Sequence, residues 1–169
     1  MNQQILWAPW RMKYIQGIDK SEECFLCRNI KNPQDDDKNF VLWRTKNAIV
    51  VLNLYPYNNG HILIAPLKHI AELSEAADEE MLEMTKLIRE SQKLLSLTIA
   101  PNGFNVGINL GRCAGAGLPG HFHIHVVPRW NGDTNFINTC CDTDVISQSL
   151  SELFVGLKKT SKEQNLPGL

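Results

Sequence analysis

Three of the five histidines in this 169-residue chain fall at alternate positions of one short stretch, "GHFHIHVV", as His121, His123 and His125. Imidazole titrates near pH 6.5, so at neutral pH each ring offers a lone pair on one nitrogen and a proton on the other. Such rings can bind metal, relay protons or attack an electrophile. The intervening Phe122, Ile124 and Val126 give the period of a β-strand. That period sends the apolar set into a core and the imidazoles to the opposite face. Residues two apart on a strand are separated by about 6.7 Å and the outer pair by about 13 Å. Zinc ligands approach their ion to about 2.1 Å, so three rings of one strand cannot share a metal. A division of labour fits better: one histidine acts as nucleophile or general base, while its neighbours orient it and hold an anionic substrate. The bland alternative is a polar row on a half-exposed sheet.

Two further groups can do chemistry. The loop before the histidines, "GRCAGAGLPG", holds Gly111, Gly115, Gly117 and Gly120. Glycines let backbone N–H groups approach a phosphate closely, although a plain flexible loop has the same composition. Cys24 and Cys27 in "CFLC" have the C-x-x-C spacing of two ligands to a tetrahedral ion, which needs two more, or of a redox pair. His61 reads as a structural residue at a strand start, Arg112 as an exposed loop cation, and Cys113, Cys140 and Cys141 have no partners for a second metal site.

Elements must position these groups. "FVLWR", "NAIVVLN" and "GHILIAP" read as three short strands, separated by Lys46-Asn47 and by "YPYNNG". Such short connections require antiparallel pairing. "FNVGINL" supplies a fourth strand and the histidine stretch a fifth. Between them, "LSEAADEEMLEMTKLIRESQKLLSL" is helical, with Met81, Met84, Ile88 and Leu95 on one face and acids at its start, and Pro101-Asn102-Gly103 ends it. Ile146, Leu150, Leu153, Phe154 and Leu157 mark a second amphipathic helix, while "KNPQDDDKN" reads as a solvated loop. The expectation is an α+β domain over residues 1–169, with a five-stranded antiparallel sheet and two main helices packed largely on one face. Residues 1–20, with Trp7 and Trp10 around Pro9, read as an N-terminal arm, and residues 140–169 as a C-terminal helix and tail.

The bulk composition excludes some classes. A net charge of −1 argues against a nucleic-acid binder. No apolar run approaches the about 20 residues of a membrane span, and the start lacks the pattern of a signal peptide. The odd cysteine count, five, does not suggest a secreted disulfide framework, so the expected compartment is the cytoplasm.

The stretch from His121 to Val127 resembles the H-φ-H-φ-H-φ-φ signature of the histidine triad superfamily of nucleotide hydrolases and transferases. "VVLNLYPYNNGHILIAPLKHIAEL" is similar to that family's central hairpin. "LWAPWRMKYI" and "PRWNGDTNF" resemble the microbial branch of diadenosine tetraphosphate phosphorylases and related diadenosine polyphosphate hydrolases. The resemblance implies a histidine-triad-like fold, a homodimer and an adenine dinucleotide or nucleotide as substrate. It implies that His123 is the nucleophile, forming a nucleotidyl-histidine, with His121 orienting and His125 contacting phosphate. Asn109, Gly115 and Gly117 would assist at the phosphate, and Asn53 either meets the ribose or only forms a turn. Inorganic phosphate or water would accept the nucleotidyl group. Zinc-bearing members imply His69 and His121 as the partners of Cys24 and Cys27 around a structural zinc. A hydrolase of nucleoside phosphoramidates or other mononucleotide conjugates would use the same histidine, and a nucleotide-binding sensor or scaffold would use only the pocket.

Overall fold

The computed structural model describes residues 24–134 and 146–169. The N-terminal arm, Cys140 and Cys141 lie outside the described residues. Helix α1 (Phe25–Lys31) is followed by β1 (Val41–Arg44), β2 (Ala48–Leu52) and β3 (Ile62–Pro66). Helix α2 (Asp78–Ile99) then leads to β4 (Gly103–Ile108), β5 (Ile124–Arg129) and α3 (Leu150–Glu163). The strands form one antiparallel sheet in the order β1-β2-β3-β5-β4, which is the expected α+β architecture.

The sheet is covered on both faces, and the sequence explains why. β2 and β3 read as unbroken apolar runs, and all ten of their residues are buried. Such runs belong to strands enclosed on two sides. On one face Val50, Leu52, Ile62, Ile64, Ile124 and Val126 meet Met84, Leu87, Leu94 and Leu95 of α2 and Leu153, Phe154 and Leu157 of α3. On the other, Ile49, Val51, Leu63 and Ala65 meet Cys24 and Leu26. Phe122 joins the helix side, so the histidines project to the α1 side. Each large aliphatic buried here contributes about 1.5–3 kcal/mol relative to exposure.

Four local details depart from the expectation. Residues 25–31 form a helix, for which seven residues carry too short a period to read. Its N-cap is Cys24, whose Sγ accepts the N–H of Cys27 at 3.4 Å. "KNPQDDDKN" is partly built in. It contains a 3₁₀ turn at Pro33–Asp35, and the Asp36 carboxylate takes both Nε–H and an Nη–H of Arg44, which also donates to the carbonyls of Asn29 and Ile30. The long helix begins at Asp78, behind a separate 3₁₀ turn at Leu73–Glu75, because the Glu80 carboxylate accepts the Ala77 N–H at 2.8 Å and caps it there. It stops at Ala100, in the left-handed region at φ 44°, just before Pro101. Ile146 precedes α3 instead of belonging to it.

One glycine matters to the site. Gly60, at φ +79°, ends the turn two residues before β3, and a Cβ there would stand 2.7 Å from Ile99 Cδ1. The positive φ favours glycine, and any side chain there would also have to displace the tip of Ile99. The backbone thereby delivers His61 into the sheet at zero exposure.

Candidate functional site

β5 lies between β3 and β4, and the histidines at and before its start are buried even though they face away from the helix layer. His121 is fully buried, and His123 and His125 are 7% and 9% exposed. Regular pairing begins at Ile124; His121 and His123 sit on the extended segment just before it, pinned by the Phe122 N–H donating to Ile70 O at 2.9 Å.

Each ring has a different neighbourhood, as a division by task requires. His123 Nδ1 lies 3.0 Å from the backbone oxygen of His121. A carbonyl only accepts, so Nδ1 carries the proton and Nε2 keeps its lone pair. Burial lowers the His123 pKa, opposed in part by that carbonyl, and the ring is neutral near pH 7. The result is a buried, neutral imidazole with its nucleophilic nitrogen fixed.

His125 ends a chain of donors. The Tyr57 N–H donates to His61 Nδ1 at 3.1 Å, and the Asn53 amide donates to the same nitrogen at 3.1 Å. His61 therefore carries its proton on Nε2 and donates to His125 Nδ1 at 2.9 Å. That leaves His125 with its proton on Nε2, 3.4 Å from Asn109 Nδ2, so the two groups are both donors and neither accepts from the other. Burial is the main cause that holds His61 at a pKa of about 3 and His125 at about 4; the charges of His125 and His123 add to it for His61, and that of His123 for His125. His125 is thus a neutral donor, opposite in tautomer to the ring beside it, 4.9 Å away between centroids.

His61 reads from the sequence as a structural residue at a strand start, and it also touches the histidine row. It does satisfy local hydrogen bonds, but its other nitrogen sets the tautomer of His125. The available signal was register: Leu63 pairs with His125, which places His61 two residues away on the same face. Asn53 makes the turn contacts, its Oδ1 accepting the Tyr55 N–H at 3.0 Å while its amide holds His61. Gly115, at φ +91°, folds its loop over Asn109, and its own N–H donates to Arg112 O at 3.0 Å. Gly117 lies in an exposed bend of that loop.

The last group is the cysteine–histidine cluster. Cys24, Cys27, His69 and His121 bring one donor atom each within 4.8 Å of the others. Cys24 Sγ lies 3.3 Å from His121 Nδ1, and Cys27 Sγ 3.2 Å from His69 Nδ1. Donors around a tetrahedral zinc are separated by about 3.4–3.8 Å, so this donor set is compatible with zinc. His121 Nε2–H donates to Pro66 O at 2.9 Å, which leaves Nδ1 bare toward the sulfurs. That outer bond is the kind that fixes a ligating histidine. Gly120 leaves room for His69, since a Cβ there would meet its ring at 3.3 Å. Without an ion, burial pushes the Cys24 thiol up to about 11. Cys113 is exposed and outside the cluster.

The buried neutral histidines make acid stability a test of this geometry. Both His61 and His125 have folded pKa values below the unfolded value near 6.5, so unfolding takes up protons as pH falls. Stability is complete above about pH 6.5 and is lost toward pH 4 at about 1 kcal/mol per unit for each ring. Urea unfolding at pH 7.5 and pH 5 measures this; equal stabilities would contradict the buried donor chain.

The HIT domain model matches residues 34–132. The AP-4-A phosphorylase of Mycobacterium tuberculosis is 37% identical over 155 residues, covering 88% of this chain and 80% of that protein. The asymmetrical bis(5'-nucleosyl)-tetraphosphatase of Schizosaccharomyces pombe is 30% identical over 93 residues, covering 55% of this chain and 50% of that protein. Among solved structures, a Zn-bound histidine triad family protein from Mycobacterium smegmatis shares the fold, with a TM-score of 0.69 at 23% identity over 85% of this chain and 96% of that one. By sequence and by fold, the chain belongs to the HIT domain family.

Proposed function

We propose that this protein is an enzyme that cleaves diadenosine polyphosphates, diadenosine tetraphosphate above all, by way of a nucleotidyl-His123 intermediate. The observation that carries the reading is the bond from His123 Nδ1 to the His121 carbonyl, which leaves Nε2 unprotonated and fixed. The named activity of the Mycobacterium tuberculosis relative supports the substrate class.

In the first step the Nε2 lone pair attacks the α-phosphorus and forms a P–N bond. The bond from phosphorus to the bridging oxygen breaks, and the nucleoside polyphosphate leaves with its electron pair. Positive charge then developing on the ring is met by the His121 carbonyl on Nδ1–H. His125 Nε2–H and the Asn109 amide lie where they can donate to phosphate oxygens, and the Gly115–Gly117 loop closes the same side. In the second step inorganic phosphate or water attacks phosphorus, the P–N bond breaks, the lone pair returns to Nε2 and the acceptor's proton is released to solvent. Splitting the displacement in two replaces water with a better nucleophile in the first step.

His123→Ala is expected to lower kcat by at least about 10³-fold while the fold is retained. Product analysis with and without phosphate separates the acceptors: ADP and ATP appearing only with phosphate identify a phosphorylase, AMP and ATP without it a hydrolase. Turnover by His123→Ala at the wild-type rate would refute the nucleophile.

Cys24, Cys27, His69 and His121 are the residues that would hold a structural zinc. Four protein ligands leave no open position, so when bound the ion supplies structure and not Lewis-acid chemistry. It would act on the site through His121, whose carbonyl orients His123. Thiolate ligands need a reducing compartment, which fits the cytoplasm. Metal analysis should give one zinc per chain, and Cys24→Ser with Cys27→Ser should abolish it and lower the melting temperature. Full stability of the double variant would remove the proposal.

The homodimer has a place to form. β4 is an edge strand whose Asn105, Val106 and Gly107 are exposed, with neither proline nor lysine to blunt it. Val106 is 43% exposed. Pairing with a second copy would satisfy this edge. Sedimentation should give twice the chain mass, and Val106→Lys should shift it toward the monomer; an unshifted dimer would place the interface elsewhere.

A further inference from the structure

The loop between β2 and β3 carries Leu54, Tyr55 and Tyr57, exposed by 46%, 41% and 54%. Other exposed large apolar side chains among the described residues include Leu82, Leu97 and Val155. A cluster of such groups beside polar catalytic machinery is the unusual arrangement. Tyr57 lies directly against the donor chain. Its ring is 5.6 Å from His125 at an interplanar angle of 23°, and 4.7 Å from His61 at 36°. The ring therefore lies against the two imidazoles while the residue as a whole stays 54% exposed.

The loop is also clamped at both ends. Asn53 accepts the Tyr55 N–H, and the Tyr57 N–H is held by His61. At the far end Asn58 donates to Pro128 O at 3.2 Å and to the Asp133 carboxylate at 2.9 Å. Asp133 is itself gripped by Arg129 through Nε at 2.6 Å and Nη2 at 2.8 Å, and by the Trp130 N–H. That grip holds its carboxyl well below the usual carboxylate range. Here is a structural task for "PRWNGD", which the catalytic reading left without one: it fixes the loop that presents Tyr57. A rigidly held aromatic face in water next to phosphate donors is a platform for a flat ligand.

We propose that the exposed face of Tyr57 stacks a nucleobase of the bound nucleotide, making this residue a determinant of specificity for nucleosides over bare polyphosphates. The inference rests on the reading that His123, His125 and Asn109 take the phosphates. A nucleoside polyphosphate offers both halves of the match, anionic oxygens for the donors and a π surface for Tyr57. Asp133 is then a positioning residue that acts through Asn58.

Binding measures this without requiring turnover. Calorimetric titration of the full chain with ATP and with inorganic tripolyphosphate compares the same anion with and without a base. Tyr57→Ala should weaken ATP about tenfold, the scale of one base–aromatic stack, and leave tripolyphosphate within about twofold. Tyr57→Phe should match the wild type, and Tyr57→Leu, which keeps an apolar cover over the histidines, should bind ATP as weakly as the alanine variant. Equal weakening of both ligands would mean that Tyr57 only shields His61 and His125, and would overturn the proposal. Unchanged ATP binding, or a changed oligomeric state in the alanine variant, would overturn it as well. Failure of the wild type to cleave dinucleotides, with these binding differences intact, would count against the catalytic reading and not against the stack.

Discussion

The site depends on one residue used at both ends. The backbone oxygen of His121 accepts the Nδ1 proton of His123, and its ring stands between Pro66 O and the two sulfurs. Moving this residue would misplace the nucleophilic nitrogen and the cysteine–histidine cluster together. A zero-exposure imidazole with both nitrogens engaged has few alternative positions, and this confinement makes the carbonyl a fixed acceptor. Preorganisation of that kind is effective because no reorganisation is left for the moment of reaction.

Around this anchor, the same residue type is given opposite protonation by its partners. His123 meets a carbonyl at Nδ1 and exposes a lone pair at Nε2. His125 meets the Nε2–H of His61 at Nδ1 and presents a proton at Nε2. An acceptor and a donor thus stand side by side without either ring being charged. Burial keeps both neutral. The fold's contribution to chemistry is therefore largely to remove water from a strand of histidines and to decide which nitrogen holds each proton.

Much of this was legible in the residues. The alternation in residues 121–127 placed Phe122, Ile124 and Val126 in the core, and the short gaps around β2 required antiparallel neighbours. Both reflect local periodicity, which a sequence displays directly. The pairing of Cys24 and Cys27 with His69 and His121 came from family resemblance, because contacts across 42 to 97 residues leave no local trace. The role of His61 was hidden for a related reason. Its neighbour His125 is 64 residues away, and only the β3–β5 register brings them together. The helix behind Cys24 was too short to declare a period. The acidic run around Asp36 looked solvated because its partner, Arg44, lies across a turn.

The central claim concerns protons, and nitrogen-15 NMR of histidine-labelled protein at pH 7.5 reads them directly. The account predicts two neutral rings of opposite tautomer, His123 protonated at Nδ1 and His125 at Nε2. An Nε2-protonated or doubly protonated His123 would contradict it, since no lone pair would then face the phosphorus.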